Sequence, residues 1–334
     1  MLTIIGEALV DLVDSGDLVT FTAHPGGSPL NVAVGLARLD HEACMMARLS
    51  GDTFGRVLRR HAERNRVDLR ASAAATEPTT LAVVSLDEEG RASYDFYLDA
   101  TADWQWSAEE LARLPDQTTI LHTGSLASWT PPGGDLIAAL VRRVRAAGEI
   151  ILSYDPNVRP RLLGAPERGQ ALVERNVAAA HVVKASDEDL RWLYPDKWPA
   201  TVAADWLKLG AALVVVTQGA QGATAYTDHT RPVQRAAPVI TLVDTVGAGD
   251  AFTSGLLSAL DDMHLDASGL AALGEADLAE IVDHAILVSA LTCERAGADP
   301  PSRAQVAGAR SRLVGRPRPT ATGPTPRVNP PPGS

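Results

Sequence analysis

The chain has 334 residues, 46% hydrophobic and 21% charged, enough to bury a large core in one large domain or two. Thirty Lys and Arg against 41 Asp and Glu leave a net charge of −11, without the basic excess that nonspecific nucleic-acid or anionic-membrane binding favours. Only three basic residues are lysines (Lys184, Lys197, Lys208) and none follows a glycine, so a Walker-type P-loop is excluded.

The first segment, Leu2–Val13, is β-branched and apolar and reads as a buried strand that carries Glu7 and Asp11 toward its end. Gly26-Gly27-Ser28-Pro29 then punctuates, and Val32, Leu36 and Leu39 form an apolar stripe. Ser28 suits an N-cap and Pro29 the first helical position. A strand at Met45–Leu49 and a helix at Phe54–Asn65 are expected next. Two short runs, Leu81–Leu86 and Ala92–Leu98, flank Asp87-Glu88-Glu89-Gly90, a hairpin signal. With parts of residues 12–24 this hairpin predicts a small separate sheet, a lid.

Beyond Trp106 strands are expected at Thr119–His122, Ile150–Asp155, His181–Lys184 and Leu213–Thr217. Helices are expected at Asp135–Ala147, Arg168–Ala178, Asp187–Leu193 and Ala200–Leu209, then near Gly249–Leu260 and Glu275–Arg295. Short apolar strands alternating with helices predict βαβ units, hence an α/β fold whose mostly parallel sheet is covered on both faces. From Arg316 the last 19 residues hold seven prolines and no acid, the composition of a disordered tail. Cys44 and Cys293 form neither a CxxC pair nor a disulfide framework. The opening residues lack a basic leader segment, and no apolar run approaches the ~18–20 residues of a membrane span. The expectation is a cytoplasmic protein with neither membrane nor nucleic acid as partner.

The most informative stretch is Asp244-Thr245-Val246-Gly247-Ala248-Gly249-Asp250-Ala251-Phe252. Glycines allow a tight turn into an apolar helix, and backbone N–H groups from Gly247 to Asp250 would converge at its N-terminus as an anion hole. A carboxylate there either favours the helix dipole or acts as a general base beside a transferring phosphoryl group. This stretch resembles the C-terminal signature of the ribokinase-like carbohydrate kinases, the phosphofructokinase-B family. Gly26-Gly27-Ser28-Pro29-Leu30-Asn31-Val32-Ala33 resembles that family's N-terminal signature.

The resemblance covers residues 1 to about 312 and implies a three-layer α/β/α kinase with a small β lid. It implies transfer of the ATP γ-phosphate to a sugar hydroxyl, with Asp250 as base and Gly247, Ala248 and Gly249 as anion hole. It also implies a sugar site of Asp11, Gly26, Gly27 and Asn31. Asp155-Pro156-Asn157-Val158-Arg159, at a strand's carboxyl end, is similar to a signature of fructokinases and 2-keto-3-deoxygluconate kinases, which gives Arg159 to substrate or phosphoryl oxygens.

Lys184 and the turn Thr217-Gln218-Gly219-Ala220-Gln221-Gly222 match the family's nucleotide side, with Thr217, Gly219, Gly222 and also Gly249 as its contacts. Glu188 and Asp189 stand where the family places Mg²⁺ through water. The family's Glu is here Asp189, one methylene shorter, so the choice within the pair stays open. Ser186 as an N-cap with acids in the first turn explains the same residues locally. Asp244, near Gly297, matches a monovalent-cation (K⁺) region of several relatives, and His284 lies near the family's adenine wall or in the core.

The lid's acids and aromatics, Tyr97 among them, with the single Arg91, fit a neutral sugar better than a phosphosugar. Fructose is the leading expectation and 2-keto-3-deoxygluconate the second. A non-catalytic sugar-binding regulator is the rival of another class. A dinucleotide-dependent oxidoreductase fails because no GxGxxG follows the first strand. The lid sheet would have edges that a second copy of the chain could cover, making a homodimer.

Overall fold

The structure, a computed structural model, describes residues 1–86 and 92–314. The tail from Arg316 and the hairpin tip with Asp87, Glu88, Glu89 and Arg91 lie outside the described residues. The strands in chain order are β1 (Leu2–Ile5), β2 (Leu9–Asp14), β3 (Phe21–Gly26), β4 (Ala43–Met46), β5 (Arg48–Ser50), β6 (Ala73–Ala75), β7 (Leu81–Leu86), β8 (Ala92–Tyr97), β9 (Ile120–Gly124), β10 (Ile151–Asp155), β11 (Val182–Ser186), β12 (Leu213–Thr217), β13 (Ala223–Tyr226) and β14 (Val233–Arg235). The helices are α1 (Ser28–Arg38), α2 (Thr53–Arg64), α3 (Ala108–Leu111), α4 (Gly133–Ala147), α5 (Pro160–Leu163), α6 (Pro166–Val177), α7 (Asp187–Leu193), α8 (Pro199–Leu209), α9 (Ala248–Asp262), α10 (Glu275–Cys293) and α11 (Arg303–Val314).

Eight strands form the central sheet in the order β14-β13-β12-β11-β10-β9-β1-β4. The six from β4 to β12 run parallel, and β13 and β14 extend them antiparallel. Period-two alternation divides the side chains between two cores. Ile4, Ile151, Val182, Leu213 and Val215 meet the apolar faces of α1, α9 and α10 on one side. Ile5, Leu152, Val183, Val214 and Val216 meet α4, α6, α7 and α8 on the other. This is the expected three-layer α/β/α arrangement.

Four further strands, in the order β3-β2-β7-β8, make the separate lid sheet. β2 pairs antiparallel with β3 and parallel with β7, which pairs antiparallel with β8. The expected single strand Leu2–Val13 is therefore two strands in two layers. The break falls at Gly6-Glu7-Ala8, where Gly6 packs against Pro29 and the Glu7 carboxylate turns to accept the Ala127 N–H at 3.0 Å. Asp11 accordingly sits inside a lid strand and not at the end of a core strand. β13, β14 and α11, which the sequence reading did not anticipate, are short or lack a strong apolar period.

Candidate active site

A cavity of about 760 Å³ opens at the carboxyl ends of β10 and β11, below the lid, where ligands bind in open α/β sheets. Asp11, Gly27, Ser28, Asn31, Arg159, Glu188, Gly247, Gly249 and Asp250 all line it. One space, lined also by Glu7, thus collects residues separated by up to 243 positions in the chain.

Asp250 lies in the first turn of α9. The turn before it needs glycine: Gly247 has φ +74°, and a side-chain carbon there would sit 2.6 Å from Ala298 Cβ. Ser28 Oγ donates to Asp250 Oδ1 at 2.6 Å, and Asn31 Nδ2 donates to Oδ2 at 2.8 Å. Helix α1 approaches closely enough for this because Gly35 packs directly against Ser254 of α9. Burial raises the pKa of Asp250, opposed by the Ser28 and Asn31 donors and the nearby Lys184 ammonium, while Asp155 adds to the rise. A carboxylate moved toward neutrality suits a general base.

Two expectations change here. Ser28 is not the N-cap of α1 but its first residue. Gly27, at φ +100° and tight against the Glu7 carbonyl, occupies the cap, which frees the Ser28 hydroxyl for Asp250. The Ala248 N–H, counted among the anion-hole donors, donates instead to Thr245 O at 3.1 Å. The N–H groups of Gly249 and Asp250, in the first turn of α9, keep no intrahelical acceptor.

Below this floor lies a buried ion pair. Lys184 Nζ donates to Asp155 Oδ2 at 2.9 Å, with the two side chains 6% and 3% exposed. Thr253 Oγ1 reaches the same oxygen at 3.3 Å, and Asp155 Oδ1 accepts from Asn157 N–H at 3.1 Å. Burial opposes the charge on Lys184, but Asp155, Asp189 and Asp250 together raise its pKa and keep it an ammonium. Lys184 does not line the cavity itself; it sits beneath Gly249.

On the opposite wall Asp11 lies across Gly26, where any side chain would collide with its carboxylate. Burial pushes the Asp11 pKa up to about 6 against the pull of Arg159, and Asp250 adds to the rise. Arg159 Nη1 donates to Asn157 Oδ1 at 2.8 Å and to Val158 O at 3.1 Å, which holds it at the rim. Tyr97 is 61% exposed and does not line the cavity, whereas its neighbour Phe96 does. Strand parity puts consecutive side chains on opposite faces, so of the two lid aromatics it is Phe96 that faces the site.

Of the residues expected on the nucleotide side, Gly249 lines this cavity, whereas Lys184, Thr217, Gly219 and Gly222 do not. The β11–β12 register sets Thr217 level with Ser186, so the Thr217–Gly222 turn stands beside α7. Gly219 is open to solvent. Gly222 is required by its φ of +95° and by the Arg235 carbonyl packed against it, a structural demand of β14. Ser186 caps α7 and Asp189 closes the capping box: Asp189 Oδ2 accepts from Ser186 N–H (2.9 Å) and Oγ (2.7 Å), and Oδ1 from Val158 N–H (2.8 Å). Glu188, beside it, faces the cavity. Asp244 accepts from Val246 N–H at 3.0 Å and from Gly297 N–H at 2.7 Å, and so ties together the two segments expected to meet there. His284 is away from this site, with Nδ1 against Arg310 at 3.2 Å. The residues that sequence reasoning passed over are Ser28 as a partner of Asp250, and Glu7, Ser125 and Arg161 in the cavity wall; Phe96 is among the lid aromatics that the sequence singles out, but Tyr97 is the one it gives to the sugar. Only the alternation of the lid strand could have pointed to Phe96.

The family model described as pfkB family carbohydrate kinase matches residues 1–305. The chain belongs to the pfkB family of carbohydrate kinases. A fructokinase of Rhizobium leguminosarum bv. trifolii is 35% identical over 263 residues, covering 78% of this chain and 79% of that protein. Among solved structures, a fructokinase from Xylella fastidiosa with bound ATP superposes with a TM-score of 0.86 at 27% identity, over 94% of this chain and 98% of that one. A fructokinase from Vibrio cholerae O395 in fructose, ADP and calcium ion bound form gives 0.79 at 29% identity, over 92% and 97%. As a pfkB carbohydrate kinase the chain is a phosphotransferase acting on a sugar alcohol group, and its fold is that of these kinases. No helix among the described residues is long and apolar enough to cross a membrane.

Proposed function

We propose that this kinase transfers the γ-phosphate of ATP to fructose, with Asp250 as the general base. The observation that carries the reading is the Asp250 carboxylate, held by Ser28 and Asn31 at the N-terminus of α9 and opening into the cavity that Asp11 lines. Asp11 accepts from vicinal hydroxyls, and Asn31 and the Gly26-Gly27 backbone complete the sugar contacts. Asp250 removes the proton of the attacking hydroxyl. The Gly249 and Asp250 N–H groups and the α9 dipole, with Gly247 shaping the turn, stabilise phosphoryl charge from one side, and Arg159 from the other. Lys184 supports Gly249 from beneath, and the Thr217–Gly222 turn backs the nucleotide.

Among the described residues no three acids, histidines or cysteines gather to hold a metal alone. That donor set fits a Mg²⁺ carried mainly by nucleotide phosphates and water, with Glu188 at the cavity wall as the protein carboxylate, because both Asp189 oxygens are engaged, Oδ2 by Ser186 and Oδ1 by the Val158 N–H. When bound, the ion would neutralise charge on the β- and γ-phosphates. K⁺ at the Asp244–Gly297 junction belongs to the same proposal. So does a single kinase unit over residues 1–312 working in the ATP-supplied cytoplasm. A homodimer through the lid is supported by Leu18 and Val19, 71% and 81% exposed, beside edge strand β3.

A coupled ADP-release assay over a panel of sugars tests the proposal. Fructose is expected to give the highest kcat/KM, and Asp250→Asn to lower kcat by about 10²–10⁴-fold. A second reading, 2-keto-3-deoxygluconate, is favoured by Arg159 and Arg161 both lining the cavity, where either could meet a carboxylate. No ADP release with any sugar would favour the non-catalytic regulator instead.

A further inference from the structure

The lid and the core exchange chain at Gly6–Ala8, between β3 and α1 at Gly26–Ser28, ahead of β7 at Pro78–Thr80, and after β8 at Leu98–Ala102. A single buried cluster ties the first, third and fourth of these crossings together. The Ala8 N–H donates to Asp103 Oδ1 at 2.9 Å, and the Ala102 N–H to Pro78 O at 2.9 Å. The Thr80 and Thr101 hydroxyls meet at 2.6 Å, and the Val10 N–H donates to Thr80 O at 3.1 Å. Glu7, next to Ala8, fastens the same crossing to the loop after β9 through Ala127.

Glu7 and Asp103 are each 1% exposed. The buried guanidinium nearby, Arg48, is paired with Glu77 and Glu110 and donates to Ala102 O, and Arg159 faces Glu7 from the cavity. Burial pushes both carboxyls up to about 7. Acids are an expensive way to cap two backbone N–H groups in an interior where a neutral side chain would serve. Their place in the fold accounts for them. Ala8 lies three residues before Asp11 on the same chain, and the Glu7 carbonyl packs on Gly27, the residue before Ser28.

We propose that Glu7 and Asp103 are positioning residues for phosphoryl transfer: they pin the crossing where the chain leaves β1 of the central sheet for β2 of the lid, and so set where Asp11 stands above Asp250. The proposal rests on Asp11 being a sugar ligand. Asp103→Ala orphans the Ala8 N–H, whereas Asp103→Asn keeps an acceptor for it. With the sugar the wild type phosphorylates best, Asp103→Ala should raise the sugar KM about 10-fold, with the ATP KM changed by less than about twofold. Asp103→Asn should recover most of that loss. Equal changes in both KM values, or the same sugar KM for Ala and Asn, would overturn the proposal.

Hydrogen exchange of Ala8–Val13, without sugar, reads the crossing independently of turnover. Faster exchange in Asp103→Ala than in Asp103→Asn, with β9 and β10 unchanged, is expected, and no difference refutes it. If Asp103→Ala does not fold, Glu7→Ala against Glu7→Gln makes the same comparison through Ala127. A wild type that phosphorylates no sugar would sink the proposed function while leaving the exchange test to decide the crossing.

Discussion

Ser28→Ala removes one of the two donors that hold Asp250 and leaves the backbone of α1 unchanged, because Ser28 is the first helical residue and not a cap. At 2.6 Å its hydroxyl makes a charge-assisted bond that favours the ionised carboxylate. Such a bond contributes about 1.5–3 kcal/mol, and its loss raises the Asp250 pKa further. The site opens to solvent and water can enter, so the lower end is expected. A base must be deprotonated to act, so its loss appears on the acidic limb of the profile. The measurement is kcat/KM against pH from 5 to 9 by coupled ADP release, with Asp250→Asn as reference. The acidic limb of Ser28→Ala should move up by about one pH unit, with the high-pH plateau within about threefold of wild type. Asp250→Asn should be low at every pH. An unmoved limb, or a plateau as low as that of Asp250→Asn, would refute the argument that Ser28 works by tuning the base.

Burial raises Asp103 from its ordinary 3.8 to about 7, so the folded state holds a proton that the unfolded chain releases between those values. Stability should therefore fall as pH rises through that window. Asp103→Asn should be neutral near pH 4 and gain up to about 4 kcal/mol relative to wild type by pH 8, read by urea denaturation at both values. Lys184→Met strands the buried Asp155 charge and should cost about 3–5 kcal/mol in the same assay, with Asp155→Asn added to it recovering part of the loss. Gly247→Ala forces a side chain into positive φ against Ala298 and should lower stability by at least about 1–2 kcal/mol and kcat with it, measured by thermal melting and turnover. If Asp244 holds K⁺, replacing K⁺ by tetramethylammonium should lower kcat, and Asp244→Ala should abolish the difference.

Much of this molecule is written locally in its sequence. Alternation and helical period located the parallel strands and their covering helices, the hairpin signal located the lid, and Gly247–Asp250 announced a helix N-terminus with a carboxylate on it. These are properties of a few neighbouring residues, fixed by backbone sterics and by which side chains must leave water. The absence of any Gly-Lys pair excluded a Walker-type phosphate loop, and the chain instead presents backbone donors at α9.

What tertiary structure alone decided is which distant groups share a space. Ser28 and Asn31 meet Asp250 across 222 and 219 residues, and Lys184 meets Asp155 across 29. Local propensity says nothing about such encounters, because they follow from helices packing on a shared sheet. The same holds for the split of Leu2–Val13 between two sheets and for the choice of Phe96 over Tyr97. An apolar run is equally satisfied in one layer or two, and a strand's parity acquires meaning only when one of its faces has something to cover.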